Sequence, residues 1–143
     1  MTVAHILEGK TGGIVTLAPG SSVRDALRLL AERRIGTVVV SSDGTKVSGI
    51  LSERDIVREL AVRGAEILDG PVDAIMTSEV QTCTGSESVR RLLERMTEGR
   101  FRHMPVVEED HLVGIVSLGD AVKYRLEEVR DERNALRDFV AGA

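Results

Sequence analysis

The sequence predicts an α+β fold: two tandem β-α-β-β-α units packed about a pseudo-twofold axis, followed by an extended C-terminal helix. Three observations carry that prediction. The turn Gly49-Ile50-Leu51-Ser52-Glu53-Arg54-Asp55 recurs as Gly114-Ile115-Val116-Ser117-Leu118-Gly119-Asp120. Sliding the chain by 66 residues pairs Thr16 with Thr82, Ser22 with Ser88, Val23 with Val89, Leu27 with Leu93, Arg34 with Arg100 and Val40 with Val106. After the hairpin loop the offset falls to 65, a deletion placed where deletions cost least. Within each copy the apolar pattern alternates between short β-branched runs and a helical stripe.

In chain order, a short helix or turn around Ala4 to Glu8 and a bend at Gly12-Gly13 lead into a strand expected over Ile14 to Leu17. Ser21-Ser22 reads as a helix cap. Val23, Ala26, Leu27 and Leu30 then form one apolar stripe on a helix ending near Arg33. Ile35 to Val40 reads as a buried strand, Ser42-Asp43-Gly44 as a hairpin signal, and Val47 to Leu51 as the next strand. A helix starts at Ser52, with Ile56, Val57, Leu60 and Ala61 expected on its buried side, and Gly64 ends it. Residues 65 to 72 read as a linker. The unit then restarts with a strand over Glu79 to Cys83, a cap at Gly85 to Ser88 and the stripe Val89, Leu92, Leu93, Met96. The expected division is residues 1–70 for the first unit with its lead-in and 71–143 for the second with its helical extension.

Composition narrows the function. With 42% hydrophobic and 29% charged residues the chain reads as a soluble globular protein, and no apolar run approaches the ~20 residues of a membrane span. A net charge of −4 offers polyanions no general attraction, and 2% aromatic residues leave few platforms for stacking bases, so neither nucleic acid nor membrane is an expected partner. The single cysteine, Cys83, rules out an internal disulfide, and Met1 to Glu8 lack the form of a secretory signal, so the expected location is cytoplasmic. Cys83 itself reads as a small buried hydrophobe rather than a reactive thiol. His103 reads as lining a pocket or the core edge, because no partner stands at metal-ligand spacing; no metal and no obligatory cofactor are expected. Catalytic residues are not expected either: the sequence offers no activated nucleophile and no carboxylate pair in a plausible cleft.

The repeated Ser-x-x-Asp turn carries the functional signal. Ser52 and Asp55, and Ser117 and Asp120, each read as a helix cap, and equally as the edge of an anion site where first-turn amides and the helix dipole face outward. With these turns, the duplication and the run Arg102-His103-Met104-Pro105-Val106-Val107, the chain resembles a tandem pair of cystathionine-β-synthase (CBS) domains, a Bateman module, along almost its whole length. The resemblance implies a stand-alone, non-enzymatic regulatory and energy-sensing module. Its effectors would be adenosine-containing molecules such as AMP, ADP, ATP, NAD or S-adenosylmethionine. Position by position, it implies that Asp55 and Asp120 accept from ribose hydroxyls and that Ser52 and Ser117 hold phosphate. Thr16, Leu17, Ile35, Gly36 and Thr37, with Thr82, Cys83, Arg102, His103, Met104 and the adjoining Pro105, would line the adenine pockets.

The two sites differ in one visible respect. Arg54 stands inside the first turn and Gly119 inside the second, so the first is expected to favour the more highly phosphorylated ligand, with Arg34 and Arg102 adding charge from the strand entrances. Beyond Asp120, Val122, Leu126, Val129, Leu136 and Val140 step by fours and threes, broken by Arg133. That stripe is expected either to pack on a second subunit, making a homodimer, or on a regulated partner, or to fold back on its own module. The alternative function is a dimerisation scaffold with vestigial pockets.

Overall fold

The computed structural model describes residues 1–142. It contains α1 (Val3–Glu8), β1 (Thr16–Leu17), α2 (Val23–Arg33), β2 (Thr37–Val40), β3 (Gly49–Ser52), α3 (Glu53–Arg63), α4 (Val89–Gly99), β4 (His103–Glu108), β5 (His111–Ser117) and α5 (Leu118–Gly142), with two 3-10 turns, Ala65–Asp69 and Val72–Ala74, at the junction. The first sheet runs β1-β2-β3, parallel and then antiparallel; the second pairs β4 with β5 antiparallel.

The helices begin and end where the side chains dictate. Ser22 Oγ accepts from the Asp25 amide (3.1 Å) and Ser88 Oγ from the Arg91 amide (3.0 Å), each satisfying a first-turn donor. Both α2 and α4 stop on an arginine in the left-handed region, Arg34 (φ 54°) and Arg100 (φ 55°), so the duplication extends to the backbone of the helix ends. The amides of Ile35 and Phe101 close back on the carbonyls of Leu30 and Met96. The first hairpin loop is tied by Asp43, which accepts from the Thr45 and Lys46 amides; those bonds lower its carboxyl pKa to about 2. The second turns on Glu109 and Asp110, both at positive φ.

Several elements are shorter than their pattern suggests. The strand expected from Ile14 pairs only at Thr16 and Leu17, that from Ile35 begins at Thr37, and that from Val47 at Gly49. Glu79 to Cys83 forms no strand: its pairing reduces to a parallel bridge between Cys83 and Val106. Pro105 stands where the first unit has Val39, and without an N–H it cannot donate to a longer ladder. On α3, Ile56 is buried, but Val57 is 65% exposed and Ala61 is also exposed, so the inward face is narrower than expected.

Each unit has its own aliphatic core, and each core is closed by the other unit's lead-in. Val23, Ala26, Leu30, Val38, Leu51 and Ile56 pack around Val72 from the junction. Val89, Leu92, Met96, Met104, Val106 and Val116 pack around Val3 and Ile6 from α1. The backbone bonds match: the Val72 amide donates to Ser21 O (2.8 Å) and the Val3 amide to Glu87 O (2.9 Å). Leu7 lies over Gly114 and Met76 over Gly49, where a Cβ would collide with either side chain. These lead-ins are themselves a repeat, at a spacing of 69 rather than 66 residues: Val3 with Val72, Ile6 with Ile75, Leu7 with Met76.

Cys83 lies in the second core, 4% exposed, where burial and then the Glu87 carboxylate push its thiol up to about 12. Little thiolate forms at neutral pH. The folded protein is therefore expected to resist alkylation by iodoacetamide at pH 8 and to react fully once denatured; rapid labelling of the native chain, followed by mass spectrometry, would contradict this packing.

Candidate functional site

A cavity of about 430 Å³ opens between the units, within the range of small-molecule sites. Its floor is the start of α3 with the ends of β2 and β3: Gly36, Thr37, Ser52, Glu53, Arg54 and Asp55. The second unit supplies the opposite wall, Arg100 to His103, and the segment from Thr77 to Gln81 crosses between them. Four guanidinium groups, those of Arg54, Arg58, Arg100 and Arg102, border it, against the carboxylates of Glu53, Asp55 and Glu79.

The α3 start is a complete capping box. The Asp55 amide donates to Ser52 Oγ (3.2 Å), while the Ser52 amide and hydroxyl both donate to Asp55 Oδ2 (2.9 Å each). Arg58 Nη2 donates to Asp55 Oδ1 at 2.7 Å. Three of the carboxylate's roughly four acceptor positions are thus taken. Binding two adjacent hydroxyls there requires Arg58 to swing aside. The Glu53 amide donates to Gly36 O (2.9 Å), so among the described residues Arg54 keeps the first-turn amide that no hydrogen bond occupies.

The second turn repeats this geometry but is closed. The Leu118 amide donates to Arg102 O (2.7 Å), the Ser117 amide to Asp120 Oδ2 (2.9 Å) and the Asp120 amide to Ser117 Oγ (3.1 Å). In place of an arginine one turn along, Lys10 reaches in from the lead-in: its Nζ lies 2.8 Å from Asp120 Oδ2 and 3.0 Å from Ile115 O. Burial pushes the Asp120 carboxyl up, but the Lys10 hydrogen bond and then the Ser117 amide outweigh it, leaving the pKa below the ordinary value. A lowered carboxyl pKa contributes stability above its unfolded value, and that contribution is lost as pH falls through the lowered one.

Of the residues singled out in the sequence, Gly36, Thr37, Ser52, Arg54, Asp55, Arg102 and His103 meet at this cavity. Thr16 borders a separate shallow groove with Leu29 and Arg33, and Leu17 packs on the first core, as does Ile35. Cys83 and Met104 are core residues, Pro105 is buried beside them, and Thr82 O accepts from Arg95. Ser117 and Asp120 belong to the second turn, outside the cavity. Arg34 does not line it; its repeat partner Arg100 does. Pattern reading missed Arg58, although three residues after Asp55 is a helix-neighbour spacing, and Glu79 to Gln81, which nothing but their place at the unit junction distinguishes. His103 stands between the two turns. Burial, followed by the Lys10 ammonium, lowers its pKa and favours the neutral ring.

Among the described residues, no helix is long and apolar enough to cross a membrane, and no three His, Cys, Asp or Glu side chains gather as a metal site. The family model described as "CBS domain" matches twice, at residues 10–62 and 72–127. A mitochondrial CBS domain-containing protein of Arabidopsis thaliana, CBSX3, is 30% identical over 99% of this chain and 72% of its own length. The crystal structure of a CBS-domain containing protein from Agrobacterium tumefaciens superposes with a TM-score of 0.83 at 41% identity, covering 87% of this chain and 99% of that one. A CBS domain protein from Pyrobaculum aerophilum, solved in complex with AMP, superposes with a TM-score of 0.74 at 28% identity, covering 84% of this chain and 89% of that one.

Proposed function

The chain belongs to the CBS-domain family, as a tandem pair of the kind that forms regulatory modules, and from that premise we propose that it binds an adenosine-containing ligand in the cleft at the start of α3 and signals through the angle between its units. The observation that carries this reading is the joining of the Ser52-Asp55 turn to Arg100 and Arg102 of the other unit across one cavity. A carboxylate for ribose hydroxyls and an unoccupied first-turn amide with arginines for phosphate are the groups that a nucleotide monophosphate requires. The Pyrobaculum relative's AMP complex supports the same ligand class. Because the walls come from both units, a bound ligand interacts differently with their open and closed arrangements, which is the condition for a binding event to become a conformational signal. No catalytic group is assigned.

Thermal unfolding with AMP, ATP, NAD and S-adenosylmethionine tests the proposal. A ligand of the folded state stabilises by RT ln(1 + [L]/Kd), about 2.7 kcal/mol at a hundredfold excess over Kd. Saturable stabilisation by at least one is expected, with Arg54→Ala weakening ATP more than AMP. No shift with any of them at millimolar concentration would leave the scaffold reading, which the exposed C-terminal half of α5 favours.

Lys10 makes the two turns unequal. It occupies Asp120 as Arg58 occupies Asp55, but Lys10 also donates to a backbone carbonyl and lies over the turn from a separate segment. Wild-type chain is expected to bind one ligand by calorimetry, and Lys10→Ala to approach two. A stoichiometry unchanged by the substitution would show that Lys10 is not what keeps the second turn closed.

A further inference from the structure

The segment that crosses the cleft hangs on one side chain. Its ends are fixed by backbone pairs. Thr77 exchanges two bonds with Ile50 (2.9 Å each), and Cys83 donates to Pro105 O (3.1 Å) and accepts from the Val107 amide (2.8 Å). Between these ties, Ser78 to Thr82 belong to no helix or strand. Among the described residues, every hydrogen bond that reaches those five comes from Arg95 Nη2, which donates to Gln81 Oε1 (3.2 Å) and to Thr82 O (2.9 Å). The other terminal nitrogen, Nη1, donates to both carboxylate oxygens of Glu87 (2.8 and 3.1 Å). The two side chains are only 21% and 16% exposed, so salt screens this pair less than it does the pairs on the helix surfaces. A planar fork with donors on two edges can hold the wall and the carboxylate at once, which a point charge does less well.

The duplication shows that the fold itself does without this clamp. At the 66-residue offset Arg95 falls on Leu29, Glu87 on Ser21, Gln81 on Val15 and Thr82 on Thr16. The first unit therefore has neither the guanidinium nor the carboxylate at these positions, and Leu29 and Thr16 border a shallow groove instead. Yet α2 is capped and ended as α4 is. What the clamp adds is confined to the wall.

That wall lines the cleft through Thr77, Glu79, Val80 and Gln81, whereas Arg95 does not border the cavity. With an apolar Val80 and an anionic Glu79, it suits the uncharged base of a nucleotide rather than the phosphate, which the arginines and the α3 amide attract. We propose that Arg95, locked by Glu87, is a positioning residue for the cleft: it holds the crossing wall in the place the base needs and so sets affinity without touching the ligand. A wall ordered for only part of the time raises the apparent Kd by the inverse of that fraction. This role rests on the cleft being a nucleotide site.

Two variants of the full chain test it. Glu87→Ser with Arg95→Leu gives the second unit the residues of the first and leaves no buried charge unpaired. Arg95→Lys keeps a cation beside Glu87 and serves if the double variant does not fold. In the ligand-free double variant, backbone order parameters by NMR are expected to fall within 78–82 from the rigid range of about 0.85 toward 0.6, with β4 and β5 unchanged. Calorimetry is expected to show AMP and ATP weakened by the same factor, about tenfold, unlike Arg54→Ala, which acts more on ATP; Arg95→Lys should weaken both about threefold. A wall that stays rigid in both variants, or one that loosens while both nucleotides bind as they do to the wild type, overturns the proposal. So does disorder spread through the second unit, which would make the pair a general support of the fold. A wild type that binds neither nucleotide sinks the cleft reading and this role with it, a result distinct from a wild type that binds and variants that bind equally well.

Discussion

A chain beginning after Gly9 is expected to lose the packing of its second half while the first half keeps its own. Val3 and Ile6 are fully buried, not against the strand that follows them but among Val89, Leu92, Met104 and Val116, about eighty to more than a hundred residues away in sequence. Burying each side chain is worth about 1.5–3 kcal/mol. Their joint loss, about 3–6 kcal/mol, reaches the lower end of the whole stability of a small domain, about 5–15 kcal/mol. The truncation also strips partners from the carbonyls of Gly85 and Glu87 and removes the Met1 ammonium from Glu128. Hydrogen exchange is the discriminating measurement. Amides of β4 and β5 should lose protection far more than those of β2 and β3, and uniform loss, or none, would show that the crossed lead-ins do not set the stability of the units separately.

The second large effect is expected at the carboxylate of the open turn. Asp55→Asn retains a carbonyl oxygen able to accept from the Ser52 amide, so the α3 cap survives with a cost near or below 1 kcal/mol. What it removes is the charge and one acceptor. Hydrogen bonds to charged groups are worth about 1.5–3 kcal/mol, so AMP affinity should fall by roughly ten- to a hundredfold. Calorimetry on Asp55→Asn and on Asp120→Asn separates the turns: the first should lose binding, and the second should leave it nearly intact because Lys10 already covers Asp120. Equal losses would place ligand in both turns. A loss at Asp120 alone would reverse the assignment of the open site.

The positions of the helices were legible in the sequence, for a local reason. Apolar spacing and capping hydroxyls are decided within a few residues, so α2 and α4 begin after Ser22 and Ser88 as read. The strands were legible in order but not in length, because a strand ends where its neighbour stops offering donors. Pro105 removes one such donor at a distance, and nothing within Glu79 to Cys83 records that. At α3 the helical stripe overstated burial: whether Val57 is covered depends on what lies across from it, and the described residues leave it 65% exposed.

By itself the sequence determined the duplicated unit, its helix starts and the family to which the chain belongs, since these follow from local pattern and from the pattern's recurrence. Only the tertiary structure decided which residues share a cavity. The Ser52-Asp55 turn meets Arg100 to His103 of the other unit, and Lys10 meets Asp120 across most of the chain's length. It also decided that each core is closed by the opposite lead-in, whose 69-residue spacing differs from that of the unit it serves. The physical reason is the same in each case: burial and charge pairing act between surfaces, and a contact between segments about fifty to more than a hundred residues apart is not recorded in the local pattern of either.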